Sequence, residues 1–397
     1  MAKRSSGLTS TAVRAGRYVR QPAGYRAYIP SPLPPDPPLH YDSELLELFE
    51  KAVDAAGRLD GVTETLPNPD LFVAMYVRKE AVLSSQIEGT QSSLEDVLEY
   101  EAGARREELP KDVDEVFNYV RAVQHGLARL SELPLSLRLL REIHAVLLKD
   151  VGGTEKEPGE FRRSQNWIGP RGTPLSDAVF VPPPPHEMNE ALGNLEVYLH
   201  DRKPDLIAAG IAHCQFETIH PFLDGNGRLG RLLITLMLCE REVLRRPLLY
   251  LSHFFRRYRQ QYYDKLMAVR ENGNWEGWMK FFLRGVAQVA WEGTNTARQI
   301  TQLQERDRRI VGEGVGGSQR FPFLELLFQY PYVTPRFVES RLNVSYGTAN
   351  NLIQRFEEAG ILEEVTGRQR YRRYRYRDYV RLFQEDVEQA KSEHSDP

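Results

Sequence analysis

The sequence predicts a mainly α-helical protein that carries a small β-hairpin and ends in a module of three helices and a hairpin. Apolar residues recur at spacings of three and four over two long stretches, 41–148 and 187–305. This spacing places them on one face of a helix. Residues with strand preference are confined to short pieces, Val179 to Val181 and 361–374. Helices are therefore expected to form most of the core.

The composition is typical of a soluble globular protein. The 397 residues include 52 Lys and Arg and 55 Asp and Glu, a formal charge of −3, and 41% are hydrophobic. Near-neutral charge removes any global case for a nucleic-acid-binding protein. The longest apolar run, 232–239, is far shorter than the roughly 20 residues of a membrane span, so no membrane helix is expected. Two cysteines and the lack of an apolar leader make the cytoplasm the expected compartment.

Proline and glycine divide the chain into five expected blocks. Seven prolines between Pro22 and Pro38 predict an irregular N-terminal arm, because proline fixes φ and removes a backbone donor. The glycine-rich stretch from Val311 to Ser318 has the composition of a flexible linker. The predicted blocks are an arm over 1–42, an N-terminal helical region over 43–110, a helical core over 111–310, a linker over 311–319 and a C-terminal domain over 320–397.

The C-terminal block resembles a winged helix-turn-helix module. Helices are expected over 321–330 and 334–342. Ser345 then caps a third helix, which ends at Gly360 in the C-cap position. A strand, a turn and a second strand follow over 361–374. Three helices and a hairpin within about 60 residues are the pattern on which this resemblance depends.

One short segment combines residues that together suggest phosphate chemistry. It reads His220-Pro221-Phe222-Leu223-Asp224-Gly225-Asn226-Gly227-Arg228-Leu229-Gly230-Arg231. Gly225 and Gly227 allow positive φ and a close backbone approach, and a helix is expected over 226–240. The free N–H groups and the positive dipole end of that helix favour an anion. Arg228 and Arg231 lie three residues apart, so both guanidinium groups can reach one phosphorylated ligand.

Asp224 and His220 supply the remaining chemistry of this segment. A carboxylate beside phosphates would be repelled unless Mg²⁺ bridges them, and one carboxylate with phosphate oxygens is an ordinary magnesium site. The imidazole of His220 has an unperturbed pKa of about 6.5, which suits removal of a proton from a hydroxyl at neutral pH. The residues therefore predict phosphoryl-type transfer from a magnesium nucleotide to a hydroxyl.

The segment closely resembles the Fic family motif, His-Pro-Phe-x-Asp/Glu-Gly-Asn-Gly-Arg-x-x-Arg, and matches it at every position. The similarity extends over roughly 42–283 and includes Pro158 to Arg162, Val181 to Pro184 and Trp275 to Trp278. It implies a Fic-type helical core that transfers AMP from ATP, with Mg²⁺, to a Ser, Thr or Tyr hydroxyl. The acceptor is a target protein or the chain itself, and a homodimer is common among similar proteins.

The resemblance also assigns roles by position. It implies His220 as the general base and Asp224 as the magnesium ligand. The implied phosphate-binding residues are Gly225, Asn226 and Gly227 for the α- and β-phosphates, and Arg228 and Arg231 for the outer phosphates. Relatives that transfer phosphate have an altered Gly-Asn-Gly-Arg core, so its presence here favours adenylylation.

A second element implied by the family is an inhibitory helix, identified here by Ser84, Glu88 and Gly89 at the end of a helix that begins near Leu71. In the family, the glutamate occupies the guanidinium that would hold the γ-phosphate, which here is that of Arg231. Breaking a partly buried pair of this kind costs about 3–5 kcal/mol. In some relatives the same glutamate supports removal of AMP, so a reverse activity is also implied.

The segment from Ile168 to Phe180 corresponds to the hairpin flap of the family. The flap residues singled out are Gly169, Thr173 and Phe180. An exposed strand edge can pair with an extended segment of a target and bring its hydroxyl to the α-phosphate. Recognition through the backbone leaves the target unnamed.

Two other interpretations stay open. His213, Cys214, Glu217 and His220 have spacings that could place metal ligands on one helix face. Alternatively, the protein is a DNA-binding regulator in which the Fic fold senses nucleotide. Between Ser318 and Arg377 ten arginines and no lysine stand against six glutamates, a net charge of +4. The module can accordingly bind nucleic acid or dock a protein.

Overall fold

The computed structural model describes residues 14–64, 66, 68–151, 154–170, 172–201 and 205–392. Within these residues the fold is mainly α-helical, with fifteen α-helices and five short strands, which confirms the predicted class. No described helix is both long and apolar enough to cross a membrane. The chain divides into two compact units, one formed by residues up to 57 with 118–289 and the other by 58–117 with 290 onward. These units cut across the five predicted blocks, whose boundaries stay a prediction.

The first unit begins with an antiparallel hairpin, β1 (Arg17–Arg20) and β2 (Arg26–Ile29). The prediction of an irregular arm is therefore wrong for 17–29, and residues 1–13 lie outside the described part of the chain. Six of the seven prolines follow the second strand, so they do not interrupt the pairing. Pro22 lies in the turn, where the N–H of Gln21 donates to the carbonyl oxygen of Tyr25.

Helices build the rest of the first unit. They are α1 (Ser43–Glu64), which continues into the second unit, α4 (Val113–Arg129), which begins there, α5 (Leu137–Leu147), α6 (Pro185–His200), α7 (Asp205–Ile219), α8 (Asn226–Glu240), α9 (Ser252–Arg257), α10 (Arg259–Asn272) and α11 (Trp275–Gly314), which continues into the second unit. The helix expected over 226–240 is α8.

The central pair of this unit is α7 and α8, which pack closely. Gly230 of α8 faces α7 at a point with no room for a side chain. A Cβ atom added there would lie 2.3 Å from Oε1 of Glu217 and 3.1 Å from the ring of Phe216. His213 joins the same helices, since its Nδ1 lies 2.7 Å from the carbonyl oxygen of Gly230. This close packing brings the end of α7 and the start of α8 together around the turn between them.

The second unit contains the helix predicted to be inhibitory and the C-terminal module. Its remaining elements are α2 (Pro69–Ile87), α3 (Leu94–Glu101), α12 (Arg320–Gln329), β3 (Tyr332–Val333), α13 (Pro335–Leu342), α14 (Tyr346–Glu358), β4 (Glu363–Glu364), β5 (Tyr374–Arg375) and α15 (Arg377–Ser392). The three strands form an antiparallel sheet in the order β3-β5-β4. This order of elements agrees with the predicted helices and hairpin, and the winged-helix classification stays a prediction.

Local capping explains the ends of these short helices. The hydroxyl of Ser345 accepts from the N–H of Thr348 at 3.2 Å, and Gly360 follows α14 with φ +74°. The expected linker over 311–319 is wrong for its first four residues, because α11 continues to Gly314. Two glycines, Gly312 and Gly314, were not enough to end the helix earlier, because Val311 within it and Val315 directly after it are buried.

Candidate active site

The turn between α7 and α8 carries the motif residues. His220 follows α7 with φ +49°, and its N–H donates to the carbonyl oxygen of Phe216 at 2.9 Å. Gly225 is the N-cap of α8 with φ +76°, a conformation that favours glycine. A Cβ atom there would lie 3.3 Å from Leu147. His220 and Gly225, at the two ends of this turn, both have left-handed backbone conformations. They reverse the chain tightly, so that the first turn of α8 faces the loop.

Asn226 closes this turn from inside. Its Oδ1 accepts from the N–H of Phe222 at 2.8 Å, and its Nδ2 donates to the carbonyl oxygen of the same residue at 2.8 Å. The side chain is buried and holds the loop through these two bonds. The phosphate contact predicted for Asn226 would therefore have to come from its backbone. Gly227 lies in the first turn of α8 and is half-buried.

Two side chains from before the flap hold the backbone around His220. Arg162 is buried and donates from Nε to the carbonyl oxygen of His220 at 3.0 Å. Asn166 donates to the carbonyl oxygens of His220 and Phe222 at 3.2 and 2.9 Å. Burial lowers the pKa of Arg162 to about 10, which leaves it charged at neutral pH. The sequence had marked Arg162 only as a family landmark.

His144 of α5 is a site residue that the sequence analysis did not find. The N–H of Gly159 donates to its Nδ1 at 2.8 Å, so the proton is on Nε2, which donates to the carbonyl oxygen of Asp224 at 3.0 Å. Its ring stacks on Phe222 with 3.7 Å between centroids. Burial lowers the pKa of His144 to about 4, so the ring is neutral near pH 7. No local pattern marks this residue, because its partners lie far along the chain.

The carboxylate of Asp224 is held by cations and by a backbone donor. Lys156 donates to its Oδ2, the N–H of Gly225 donates to its Oδ1 at 2.6 Å, and Nη2 of Arg228 lies 3.5 Å from Oδ1. Burial raises the pKa of the Asp224 carboxyl, but the hydrogen bond from Lys156 and the charge of Arg228 outweigh it and lower the pKa overall. Asp224 is therefore ionised and already binds one cationic group.

Arg228 and Arg231 lie in the first two turns of α8, and each is 3% exposed. Two buried guanidinium groups near a helix N-terminus form a strongly positive site. Their charge, the ionised Asp224 and the nearby His220 lie within one short stretch of chain. The motif residues thus occupy one turn and the start of one helix, and their roles stay predictions.

The alternative hypothesis of a metal cluster on α7 is wrong in its assignment of His213 as a ligand. Both of its ring nitrogens are occupied, Nδ1 by the carbonyl oxygen of Gly230 at 2.7 Å and Nε2 by the hydroxyl of Tyr262 at 2.9 Å. Burial lowers its pKa to about 3, so the ring is neutral and structural. Among the described residues, no group of three His, Cys, Asp or Glu is placed to hold a metal ion.

The predicted flap is a minimal antiparallel pair. Ile168 and Phe180 exchange two backbone hydrogen bonds of 2.8 and 3.1 Å. Thr173 bends the loop, since its N–H donates to Pro170 and its carbonyl oxygen accepts from the indole of Trp167. A Cβ atom on Gly169 would lie 3.5 Å from Thr173. Arg171, within this segment, lies outside the described residues.

Phe180 anchors the flap instead of facing a target. Its ring is 2% exposed and lies 3.9 Å from the guanidinium of Arg270. Val179 beside it is 62% exposed, and on the other side of the strand Val181 accepts from the N–H of Tyr28 at 2.9 Å. The strand edge next to the flap is thus partly covered by β2, which the sequence analysis had placed in the irregular arm.

In the second unit, α2 ends where the inhibitory element was predicted. Ser84 is fully buried, Glu88 is the C-cap residue and is exposed, and Gly89 follows with φ +106°. The N–H of Gly89 donates to Gln86, which closes the helix. The expected helix near 71–87 is confirmed as an element, and its inhibitory role stays a prediction.

Comparison with known families identifies this arrangement. Residues 134–238, which contain the whole motif, match the Fic/DOC family, and residues 46–128 match the Fic/DOC family N-terminal region. The chain therefore contains a Fic domain preceded by a Fic N-terminal region. The Fic domain thus contains α5, α7, α8 and the turn, and the N-terminal region contains α2.

Named relatives of this Fic protein share part of its length. The chain is 28% identical over 199 residues to "Protein adenylyltransferase Fic" of Culex quinquefasciatus, covering 47% of this chain and 35% of that protein. It is 39% identical over 88 residues to "Probable protein adenylyltransferase" of Aquifex aeolicus, covering 20% of this chain and 28% of that protein. The matches therefore span about a third or less of these relatives.

A solved Fic structure has the same fold over most of the chain. The "Fic family protein" from Desulfovibrio desulfuricans superposes with a TM-score of 0.57 at 22% identity, covering 85% of this chain and 97% of that one. At this identity the likeness concerns the fold.

Proposed function

We propose that this Fic protein transfers AMP from ATP to a Ser, Thr or Tyr hydroxyl of a protein. The observation that carries the proposal is the tight turn that starts α8, where Gly225 has positive φ and two buried arginines follow. Helix N–H groups and guanidinium groups bind phosphate oxygens, so this turn suits a nucleotide triphosphate. The names of the curated relatives support the same activity.

In the proposed reaction the hydroxyl oxygen attacks the α-phosphorus of ATP. His220 accepts the hydroxyl proton, a new P–O bond forms, and the bond to the β-phosphate oxygen breaks so that pyrophosphate leaves. Arg228 and Arg231 bind the outer phosphates and stabilise the charge that develops on the leaving group. Arg162 and Asn166 support this step by fixing the backbone of His220.

Asp224 is the proposed ligand of Mg²⁺. The chemistry of the site fits such an ion, because the carboxylate is ionised, its side chain is 35% exposed and it already binds the ammonium group of Lys156. When bound, Mg²⁺ would neutralise phosphate charge beside this carboxylate. Lys156 has to release or share Asp224 at that point, so its ammonium group competes for the same oxygen.

The flap is proposed to position the target. Val179 is exposed, and no backbone partner for it exists among the described residues, so its N–H and C=O are free to pair with an extended segment. Phe180 and Ile168 hold the strand that presents this edge. The proposed recognition is through backbone hydrogen bonds, and the target sequence is left undefined.

Glu88 is proposed to restrain the transfer, and removal of AMP from a modified target is proposed as a reverse activity. The support is the match of Ser84, Glu88 and Gly89 to the family element and the end of α2 at Ile87. ATP and protein targets are the proposed partners. A homodimer and a cytoplasmic location stay predictions from the sequence.

The activity is tested with purified protein, labelled ATP and Mg²⁺. We expect the Glu88→Gly variant to label itself or a target with a mass increase of one AMP, more strongly than the unmodified chain. The Glu88→Gly/His220→Ala variant should show no label. Label that persists without His220 would contradict the proposed base, and equal labelling with and without Glu88 would contradict the restraint.

A further inference from the structure

The second unit contains an open cleft that the proposed function does not use. Its volume is about 790 Å³, which is in the range of ligand-binding sites. Its walls are the residues after α3, the start of α13, one face of α14 and the segment between β4 and β5. We call it the arginine cleft, after the lining residues Arg105, Arg336, Arg368, Arg370, Arg372 and Arg373.

The two acidic residues that line the arginine cleft already have partners. Glu101 pairs with Arg78 of α2 at 2.7 Å. Glu108 pairs with Arg368 and Arg373, each at 2.7 Å, and these hydrogen bonds lower the pKa of Glu108 to about 2. The acids therefore offset only part of the positive charge.

The remaining cations face the cleft without carboxylate partners. Arg336 and Arg370 are exposed, and neither forms an ion pair within the part of the chain that the structure describes. Arg372 is also exposed, but its Nε donates to the carbonyl oxygen of Arg368 at 2.9 Å and its guanidinium group bonds Tyr374. Arg105 stacks on the ring of Tyr371, with 4.9 Å from its guanidinium carbon to the ring centroid. The guanidinium groups of Arg105, Arg336 and Arg370 are thus available to an anionic ligand, and guanidinium geometry matches phosphate oxygens.

Aromatic rings and amides complete the lining. Tyr371 is 73% exposed and has φ +58°, an uncommon conformation for a residue other than glycine. Tyr346, at the start of α14, is 51% exposed. Asn350 and Gln354 follow Tyr346 at intervals of four and line the same cleft. Exposed rings can stack with bases, and amides can bond base edges.

We propose that the arginine cleft binds a short single-stranded nucleic acid, with phosphates on the arginines and bases on Tyr346 and Tyr371. An acidic peptide would satisfy the arginines but would leave the exposed rings and the amides unused. A single strand engages all three kinds of group at once. The proposal concerns a site in the second unit and does not depend on AMP transfer.

Double-stranded DNA fits this surface poorly. A duplex requires the face of α14 to enter a major groove about 12 Å wide, whereas that face shares one cleft with residues 101–108. Two arginines at β5 are also engaged, since Arg373, directly before the strand, pairs with Glu99 at 3.2 Å, and Arg375, within it, pairs with Glu95 at 2.5 Å. These pairs leave fewer arginines for a duplex to contact, and the DNA-binding regulator stays a prediction from the sequence.

The test uses the full chain and a fluorescent single-stranded oligonucleotide of about six nucleotides, within the site sizes of single-strand binding proteins. Anisotropy gives the dissociation constant between about 50 and 200 mM salt. Three phosphate contacts predict that log K falls with log salt with a slope of about −2. A slope near zero would overturn the assignment of phosphates to the arginines.

Variants locate the site. Arg336→Ala/Arg370→Ala should weaken binding about tenfold or more, and Tyr371→Ala about fivefold or more, through lost stacking. Arg309→Ala removes an exposed arginine outside the cleft and should leave binding unchanged. Arg231→Ala should also retain the oligonucleotide, which would separate this site from the nucleotide site beside α8.

Four outcomes would overturn the proposal. These are no binding, binding that the cleft variants leave intact, tighter binding of the matching duplex, and displacement of the oligonucleotide by a glutamate-rich peptide at equal concentration. Failure of AMP transfer in the labelling assay would not affect this result, and failure of oligonucleotide binding would not affect the labelling assay. The two proposals can therefore fail separately.

Discussion

The Nε2 atom of His144 lies 3.0 Å from the main-chain carbonyl oxygen of Asp224, and the N–H of Gly159 lies 2.8 Å from the Nδ1 atom of the same ring. This pair of bonds requires a neutral imidazole with its proton on Nε2. His144 is therefore a positioning residue, which fixes the backbone of the proposed metal ligand from a helix 80 residues earlier in the chain.

The first prediction concerns stability at low pH. The pKa of His144 is about 4 in the folded protein, against 6.5 for a free side chain, so the unfolded chain binds more protons between these values. The contribution of His144 to the free energy of unfolding is therefore present above pH 6.5 and is lost as the pH falls toward 4. Between pH 7 and pH 5 this loss should be about 2 kcal/mol. Chemical denaturation at both pH values should show a smaller loss for His144→Gln. His186→Gln, at an exposed position, should behave as the unmodified chain; an equal loss in all three proteins would contradict the assignment.

The second prediction concerns the competition at Asp224. Because Lys156 donates to the carboxylate oxygen, Lys156→Met should lower the Mg²⁺ concentration needed for half-maximal ATP binding by about fivefold. Calorimetric titration of ATP at stepped Mg²⁺ concentrations measures this without turnover. Lys149→Met removes another exposed lysine and should change nothing. A raised Mg²⁺ requirement in Lys156→Met would instead mean that the lysine assists nucleotide binding.

The third prediction concerns the side chain that closes the turn. Asn226→Ala leaves the buried N–H of Phe222 without a partner, whereas the C=O keeps its bond from Asn166, so the free energy of unfolding should fall by about 1–3 kcal/mol. Urea denaturation followed by circular dichroism gives the value. Asn351→Ala, on an exposed position of α14, is the control and should change stability by less than about 0.5 kcal/mol. Similar values for the two variants would mean that Asn226 does not hold the turn.

The fourth prediction concerns the contact between α7 and α8. In Gly230→Ala the added Cβ atom would lie 2.3 Å from Glu217 and 3.1 Å from the ring of Phe216, so we expect destabilisation of about 1–3 kcal/mol. In Gly193→Ala, within α6, the added atom meets nothing within 4 Å, and the helix should gain about 0.5–1 kcal/mol. Opposite signs in thermal denaturation support the packing, and a stabilised Gly230→Ala variant would contradict it.

The sequence by itself was sufficient to predict α8, the turn before it and the caps at Ser345 and Gly360. These features depend on residues within a few positions of each other, and their hydrogen bonds close over short loops. The Fic motif is one continuous segment, so its residue types and spacing could be recognised without knowledge of the fold.

Only the tertiary structure decided which distant groups complete the site and how the C-terminal charges are used. Lys156 and Asp224 are 68 residues apart, and Glu108 and Arg373 are 265 residues apart, so no local pattern joins them. The hairpin at β1 and β2 was missed because the prolines lie in its turn and after its second strand, and not within the strands. Burial also depends on packing, which is why Phe180, predicted as a target-binding residue of the flap, and His213, a candidate ligand in the alternative metal cluster, are core residues. Chain proximity determines local conformation, whereas burial and long-range pairing arise only when the elements pack.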